Sequence, residues 1–143
     1  MPPDPSESRP LRRFHVGAKA VITRGPSILL LHEAGRDAWD LPGGRVEGRE
    51  TLPQALRREL DEELPGIDEL RIGEQLGSVI VSAIDGDPGL LLVLHAVEAR
   101  LPPAIRTSAS HRAHAWVPVD EARRRLAPEL AALLPGPPVK GSA

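Results

Sequence analysis

Short blocks of apolar residues, separated by turn-forming residues, recur along most of this chain. "HVGAKAVIT" (15–23) and "SILLLHE" (27–33) flank Arg24-Gly25-Pro26, a pattern that predicts a β-hairpin. "RIGEQLGSVIVSAI" (71–84) and "GLLLVLHAVEA" (89–99) predict two longer strands around the turn Asp85-Gly86-Asp87-Pro88. "HAWVPV" (114–119) predicts a last short strand. Asp120 is placed to N-cap a helix over "EARRRLA", and Pro128 restarts it for "ELAALL". Strands, one helix, more strands and a final helix predict an α/β or α+β sandwich with helices on both faces of a sheet.

The helix in the middle has the clearest period. Thr51 followed by Gln54 is a capping-box pattern, Pro53 is tolerated in a first turn, and Pro65-Gly66 ends the segment. Leu52, Leu56, Leu60 and Leu64 form one stripe, which predicts the buried face. Glu59, Glu62 and Glu63 stand at i, i+3 and i+4, so their carboxylates share a face roughly 90° from the leucines. Like charges at these spacings repel by roughly 0.2–0.5 kcal/mol per pair. They also crowd the end of the helix where the macrodipole disfavours anions. A divalent cation would remove both penalties, and an all-oxygen donor set suits Mg²⁺ or Mn²⁺ better than zinc. A solvated charged face, neutralised by Arg57 and Arg58, is the competing account.

Composition narrows the remaining possibilities. At 143 residues the chain has the length of one domain, expected over 11–134. Residues 1–10 carry four prolines, and "PGPPVKGSA" (135–143) is equally unsuited to regular structure, so both ends are expected to be disordered tails. A formal net charge of −2 and three aromatic residues (Phe14, Trp39, Trp116) argue against a general nucleic-acid or acidic-membrane surface. There is no cysteine, which removes disulfides and thiolate chemistry. The first residues lack the apolar core of a signal peptide and no apolar run has the length of a membrane span, so the expected location is cytoplasmic. Of the 18 basic residues only Lys19 and Lys140 are lysine, a preference that suits fork-shaped phosphate or carboxylate contacts and fits a codon bias equally well.

Read as Gly44-x5-Glu50-x7-Arg58-Glu59-Leu60-x-Glu62-Glu63, with the lead-in "LPGGRVEGRE", the central stretch resembles the signature box of the Nudix hydrolases. The resemblance implies a Nudix-like α/β/α sandwich with a mixed sheet between helices. It also implies hydrolysis of a nucleoside diphosphate linked to another moiety, with Mg²⁺ or Mn²⁺ as cofactor. On this resemblance Glu59, Glu62 and Glu63 are metal ligands, with the Gly44 carbonyl as a further one. Arg58 and Glu50 form a structural pair, the Arg holding the loop and orienting a ligand glutamate, and Glu47 lies in the same loop behind the ligands. One departure is a residue inserted after the helix, where Leu64 is followed by Pro65, Gly66 and Ile67.

Some members of that family take their general base from the loop before the last strand, but here "TSASHRAHAW" contains no Asp or Glu. Glu62 is therefore the expected base, with His111 and His114 as alternatives whose ordinary pKa suits the role. Trp39 and Trp116 are candidates to stack on a base. The strand after the box lacks the proline of an ADP-ribose pyrophosphatase, and the chain has no tyrosine to mark a dinucleoside-polyphosphate hydrolase. No array typical of NADH or coenzyme A hydrolases is present. The expected substrate is a nucleoside triphosphate, oxidised forms included, or a nucleotide sugar. The rival is a catalytically silent Nudix-fold nucleotide-binding or regulatory module, which would be expected to have lost box carboxylates. RNA decapping would want a basic groove and ring platforms. No G-x-x-x-x-G-K occurs, so a P-loop enzyme is excluded. The arginines at 123–125 read as a solvated face, and whether the chain is a monomer or a homodimer is left open.

Overall fold

The computed structural model describes residues 9–107 and 111–136. Its strands are β1 (Phe14–Arg24), β2 (Ser27–Glu33), β3 (Trp39–Asp40), β4 (Gly43–Arg45), β5 (Asp68–Ile80), β6 (Gly89–Arg100) and β7 (His111–Pro118). The helices are α1 (Leu52–Glu63), α2 (Val119–Arg125) and α3 (Pro128–Ala131). β1 runs parallel to β6 over nine register pairs and antiparallel to β4, while β5 forms a long antiparallel hairpin with β6. β2 pairs antiparallel with β3 and β7. Among the described residues these two groups of strands pair with each other where β1 meets β2, at Thr23↔Ile28 and Arg24↔Ser27. Away from that hairpin they part, and the gap receives the segment that joins β3 to β4.

Alternation along β1 and β2 divides the core in two. Val21, Ile28 and Leu30 point to one face and pack with Leu92, Leu94 and Val117 beneath Ala122, Leu126, Leu130 and Leu134. Ala18, Ala20, Ile22, Leu29 and Leu31 point to the other and pack beneath Leu56, Leu60 and Leu64 of α1. Each fully buried leucine contributes about 1.5–3 kcal/mol. Helices on both faces of a mixed sheet are the expected architecture. Among the described residues no helix is long and apolar enough to cross a membrane.

α1 starts as expected: Thr51 accepts from the Gln54 N–H at 3.2 Å and Gln54 returns the bond to the Thr51 N–H at 2.9 Å. Two local expectations need correction, and two short strands are additions to them. α2 begins at Val119 with Pro118 at its N-cap, so Asp120 lies inside the first turn and caps nothing. β5 ends at Ile80 instead of running to Ile84, because Ser82 turns both its N–H and its hydroxyl to the Glu129 carboxylate on α3. β3 and β4 are too short, at two and three residues, to leave a periodic signal. The expectation of tails falls mainly on 1–8 and 137–143, outside the described residues.

Candidate active site

The loop and helix of the central motif meet at α1. Arg58 is the hub: its Nε and Nη2 grip both oxygens of Glu50 at 2.7 and 3.0 Å, the two-pronged geometry available only to a guanidinium. Nη1 reaches Glu59 Oε1 at 3.0 Å, and Nη2 donates to the Arg45 carbonyl at 3.0 Å. Glu62 lies 3.5 Å from Nη1 and Glu47 3.9 Å. The Glu50 hydrogen bond is the main reason the Arg58 pKa rises further above its ordinary value, and the same bond lowers that of Glu50. Arg58 thus ties helix to loop, as the structural pairing with Glu50 requires.

The three glutamates do not share one environment. Glu62 is exposed, Glu59 is mostly covered, and Glu63 is buried at 6% exposure. That burial corrects the picture of three carboxylates on one open face: the 100° step between Glu62 and Glu63 carries the latter under the loop that crosses from β3 to β4. There Glu63 Oε1 accepts the Gly43 N–H at 2.7 Å. Desolvation pushes its pKa up to about 7 against the opposing effects of that hydrogen bond and of Lys19. At Gly44 the Glu59 carboxylate takes the space of a side chain, since a Cβ there would lie 2.4 Å from its carboxyl carbon. Among the described residues no three carboxylate or histidine side chains already converge on a cation position. Arg58 draws Glu59 and Glu62 while Gly43 holds Glu63.

Beside Gly44 opens a cavity of about 670 Å³ on the α2–α3 side of the sheet, also lined by Lys19, Glu33, Arg36, Trp39 and Arg125. This is ample for a nucleotide-sized ligand. Arg125 lies over the Trp39 ring at 5.0 Å, and His32 packs edge-on to that ring at 4.9 Å. Two of the arginines expected to be a solvated face are therefore engaged, Arg125 here and Arg123 on Asp120 and the Pro135 carbonyl. Trp116 and His114 face the opposite side of the sheet, in a separate cavity of about 300 Å³ with Arg24 stacked 4.2 Å over Trp116. The structure thus brings Trp39, and not Trp116 or His114, into the cavity that holds Gly44. His111 opens β7, and its side chain lies outside the described part.

Lys19, Asp40, Arg125 and the Glu33–Arg36 ion pair are cavity residues that motif reasoning missed. For Lys19 a signal existed: a lysine in the middle of an apolar strand, in a chain that otherwise uses arginine almost throughout.

Residues 13–136 match the family model described as the NUDIX domain. A protein of Mycobacterium tuberculosis that carries the provisional name 8-oxo-dGTP diphosphatase 2 is 36% identical over 108 residues, covering 70% of each chain. Among solved structures, the Escherichia coli ORF135 protein is 33% identical with a TM-score of 0.66, over 87% of this chain and 90% of that one. The MutT protein from Methanosarcina mazei, at 20% identity, shares the fold with a TM-score of 0.72 over 85% of this chain and 91% of that one.

Proposed function

The chain belongs to the Nudix family of nucleotide pyrophosphohydrolases, and on that footing we propose that residues 11–134 cleave a phosphoanhydride bond of a nucleoside triphosphate, oxidised forms first among them, with a nucleotide sugar as the other substrate class. The observation that carries this is the adjacency of the Gly44–Glu59–Glu63 cluster to the cavity holding Trp39 and Arg125. A phosphate chain at the first and a base at the second fit one nucleotide. The name of the mycobacterial relative supports placing oxidised purine triphosphates first.

The donor set fits Mg²⁺ or Mn²⁺. Its atoms are all oxygen, and a carboxylate buried as deeply as Glu63, whose ionised form desolvation disfavours, gains from a divalent cation beside it. Glu59, Glu62, Glu63 and the Gly44 carbonyl are the groups that would hold the ion. When bound, it supplies positive charge against the phosphate oxygens. Glu62, open to solvent, takes the proton from the attacking water. Arg58, charged at every working pH, keeps Glu59 and the Arg45 carbonyl in place and steers Glu62. Trp39 and Arg125 hold the base by stacking, which fixes the reacting phosphorus relative to that water.

The test is a mass-resolved hydrolysis screen with Mg²⁺ and with Mn²⁺ over canonical and oxidised nucleoside triphosphates, nucleotide sugars, ADP-ribose and dinucleoside polyphosphates, run beside Glu62→Gln. Turnover by the parent, reduced roughly 10²–10⁴-fold in the variant, supports the assignment and names the bond broken. A folded, cation-binding but inert parent would move the chain to the nucleotide-binding module.

A further inference from the structure

Lys19 projects from the middle of β1 into the gap between the two groups of strands, where its side chain is only 12% exposed. Its Nζ donates to Asp40 Oδ2 at 2.9 Å and to the Leu41 carbonyl at 3.2 Å. The other oxygen of Asp40, Oδ1, accepts the Leu41 N–H at 2.7 Å. Leu41 is therefore held at both ends, its N–H by Asp40 and its C=O by Lys19, and the two holding groups are themselves paired. Two residues further on, Gly43 gives its N–H to Glu63, and Gly44 closes on Glu59.

A covered ion pair is a poor source of stability, because desolvating both charges offsets most of their attraction; what it does supply is fixed geometry. Pro42 and the residues after it are already strung along β1, by Ala20 N–H to the Pro42 carbonyl at 2.8 Å and by the pairing of Gly17–Lys19 with Gly43–Arg45. Residue 41 belongs to neither β3 nor β4. It is the joint between them, and with it the two strand groups are set relative to each other at the site.

We propose that Lys19 and Asp40 are positioning residues, a clamp on Leu41 that fixes the Gly43 N–H on Glu63 and the Gly44 backbone beside Glu59. This rests on the box being the hydrolytic centre. Partners that orient cation ligands from behind typically change metal affinity 10–100-fold when removed, and the clamp belongs to that class.

The experiment compares the full chain with Lys19→Met, the near-isosteric Asp40→Asn and the double variant, by Mn²⁺ titration without nucleotide, by hydrogen exchange at the Gly43 amide, and by thermal melting. Each single variant is expected to weaken Mn²⁺ binding about 10-fold or more and to speed Gly43 exchange. The double variant should be no worse than the worse single one, since both changes open the same clamp. Lowered melting with unchanged Mn²⁺ affinity and Gly43 exchange would make the pair merely structural and overturn the proposal. Additive losses would also overturn it, by giving Lys19 and Asp40 separate roles. A parent chain that binds no Mn²⁺ would strike the box assignment itself, a failure distinct from these because the Gly43 readout needs no cation.

Discussion

Gly43 donates its backbone N–H to Glu63 Oε1 at 2.7 Å, twenty residues along the chain and out of contact with solvent. The next residue, Gly44, leaves no room for a side chain against Glu59. Two adjacent glycines therefore serve two different glutamates, and their substitutions should fail differently.

At Gly43 φ is +130°, and a Cβ would lie 2.1 Å from the Ala18 carbonyl oxygen. Neither backbone can yield, so Gly43→Ala should lower stability severely and give little soluble protein. At Gly44 the obstacle is the far end of the Glu59 side chain, which can swing away. Gly44→Ala should melt within a few degrees of the parent while kcat falls on the order of 10²-fold, the cost of a displaced group at a reacting centre. Circular dichroism melts and steady-state kinetics on the two variants separate the outcomes.

The Glu63 pKa of about 7 makes stability depend on pH in the less usual direction for an acid. Between its unfolded value near 4.5 and about 7 the folded chain binds more protons than the unfolded one, so stability falls as pH rises through that window. In chelator, urea unfolding should show a loss on the order of 3 kcal/mol from this group between pH 5 and 8. Glu63→Gln keeps an acceptor for Gly43 and should flatten that part of the profile. Adding Mn²⁺ at pH 8 should restore stability to the parent and not to the variant.

His95 acts with the opposite sign. It is 2% exposed in β6, its Nδ1 has no hydrogen-bond partner among the described residues, and burial lowers its pKa. The unfolded chain takes up that proton first, so stability is lost as pH falls through the unfolded value near 6.5. His95→Gln should remove this acid limb in the same urea experiment, and an unchanged limb would assign it to other groups.

The two tryptophans should separate binding from scaffold. Stacking on an aromatic ring is worth roughly 1–3 kcal/mol, so Trp39→Ala should raise the nucleotide KM at least several-fold with a smaller change in kcat. Trp116→Ala, on the other side of the sheet, should leave KM unchanged. Equal effects of the two on KM would count against the Trp39 cavity as the base site.

What the sequence discloses is whatever repeats or keeps a fixed spacing. The leucine stripe of α1, the Thr51–Gln54 cap and the Gly25-Pro26 hairpin were all readable, because each is set by neighbours within one or two turns of chain. The Glu50–Arg58 pair was readable only through the family motif, since seven residues of helix and loop separate the partners. Glu63 was placed correctly on the helix, yet its burial depends on a loop twenty residues earlier that no periodicity announces. Trp39 and Trp116 looked equivalent in sequence; which face each takes follows from the register of β2 with β3 and β7. Arg125 reads as a solvent-facing residue in the sequence, because its contact with Trp39, 86 positions earlier, is set by packing that no local pattern announces.

On the proposed reading the Gly43–Glu63 segment carries the cation ligands and the base, whereas the neighbouring cavity, which shares Gly44 and Arg45 with that segment, draws its other walls from β1, β2, β3, β6, the turn after β5 and the α2–α3 pair. Selection can therefore work on the two separately. If that reading holds, a change at Glu33, Arg36, Trp39 or Arg125 would alter what is recognised while leaving the box carboxylates in place, so a lineage of such chains could diversify its diet one substitution at a time while inheriting the same cutting edge.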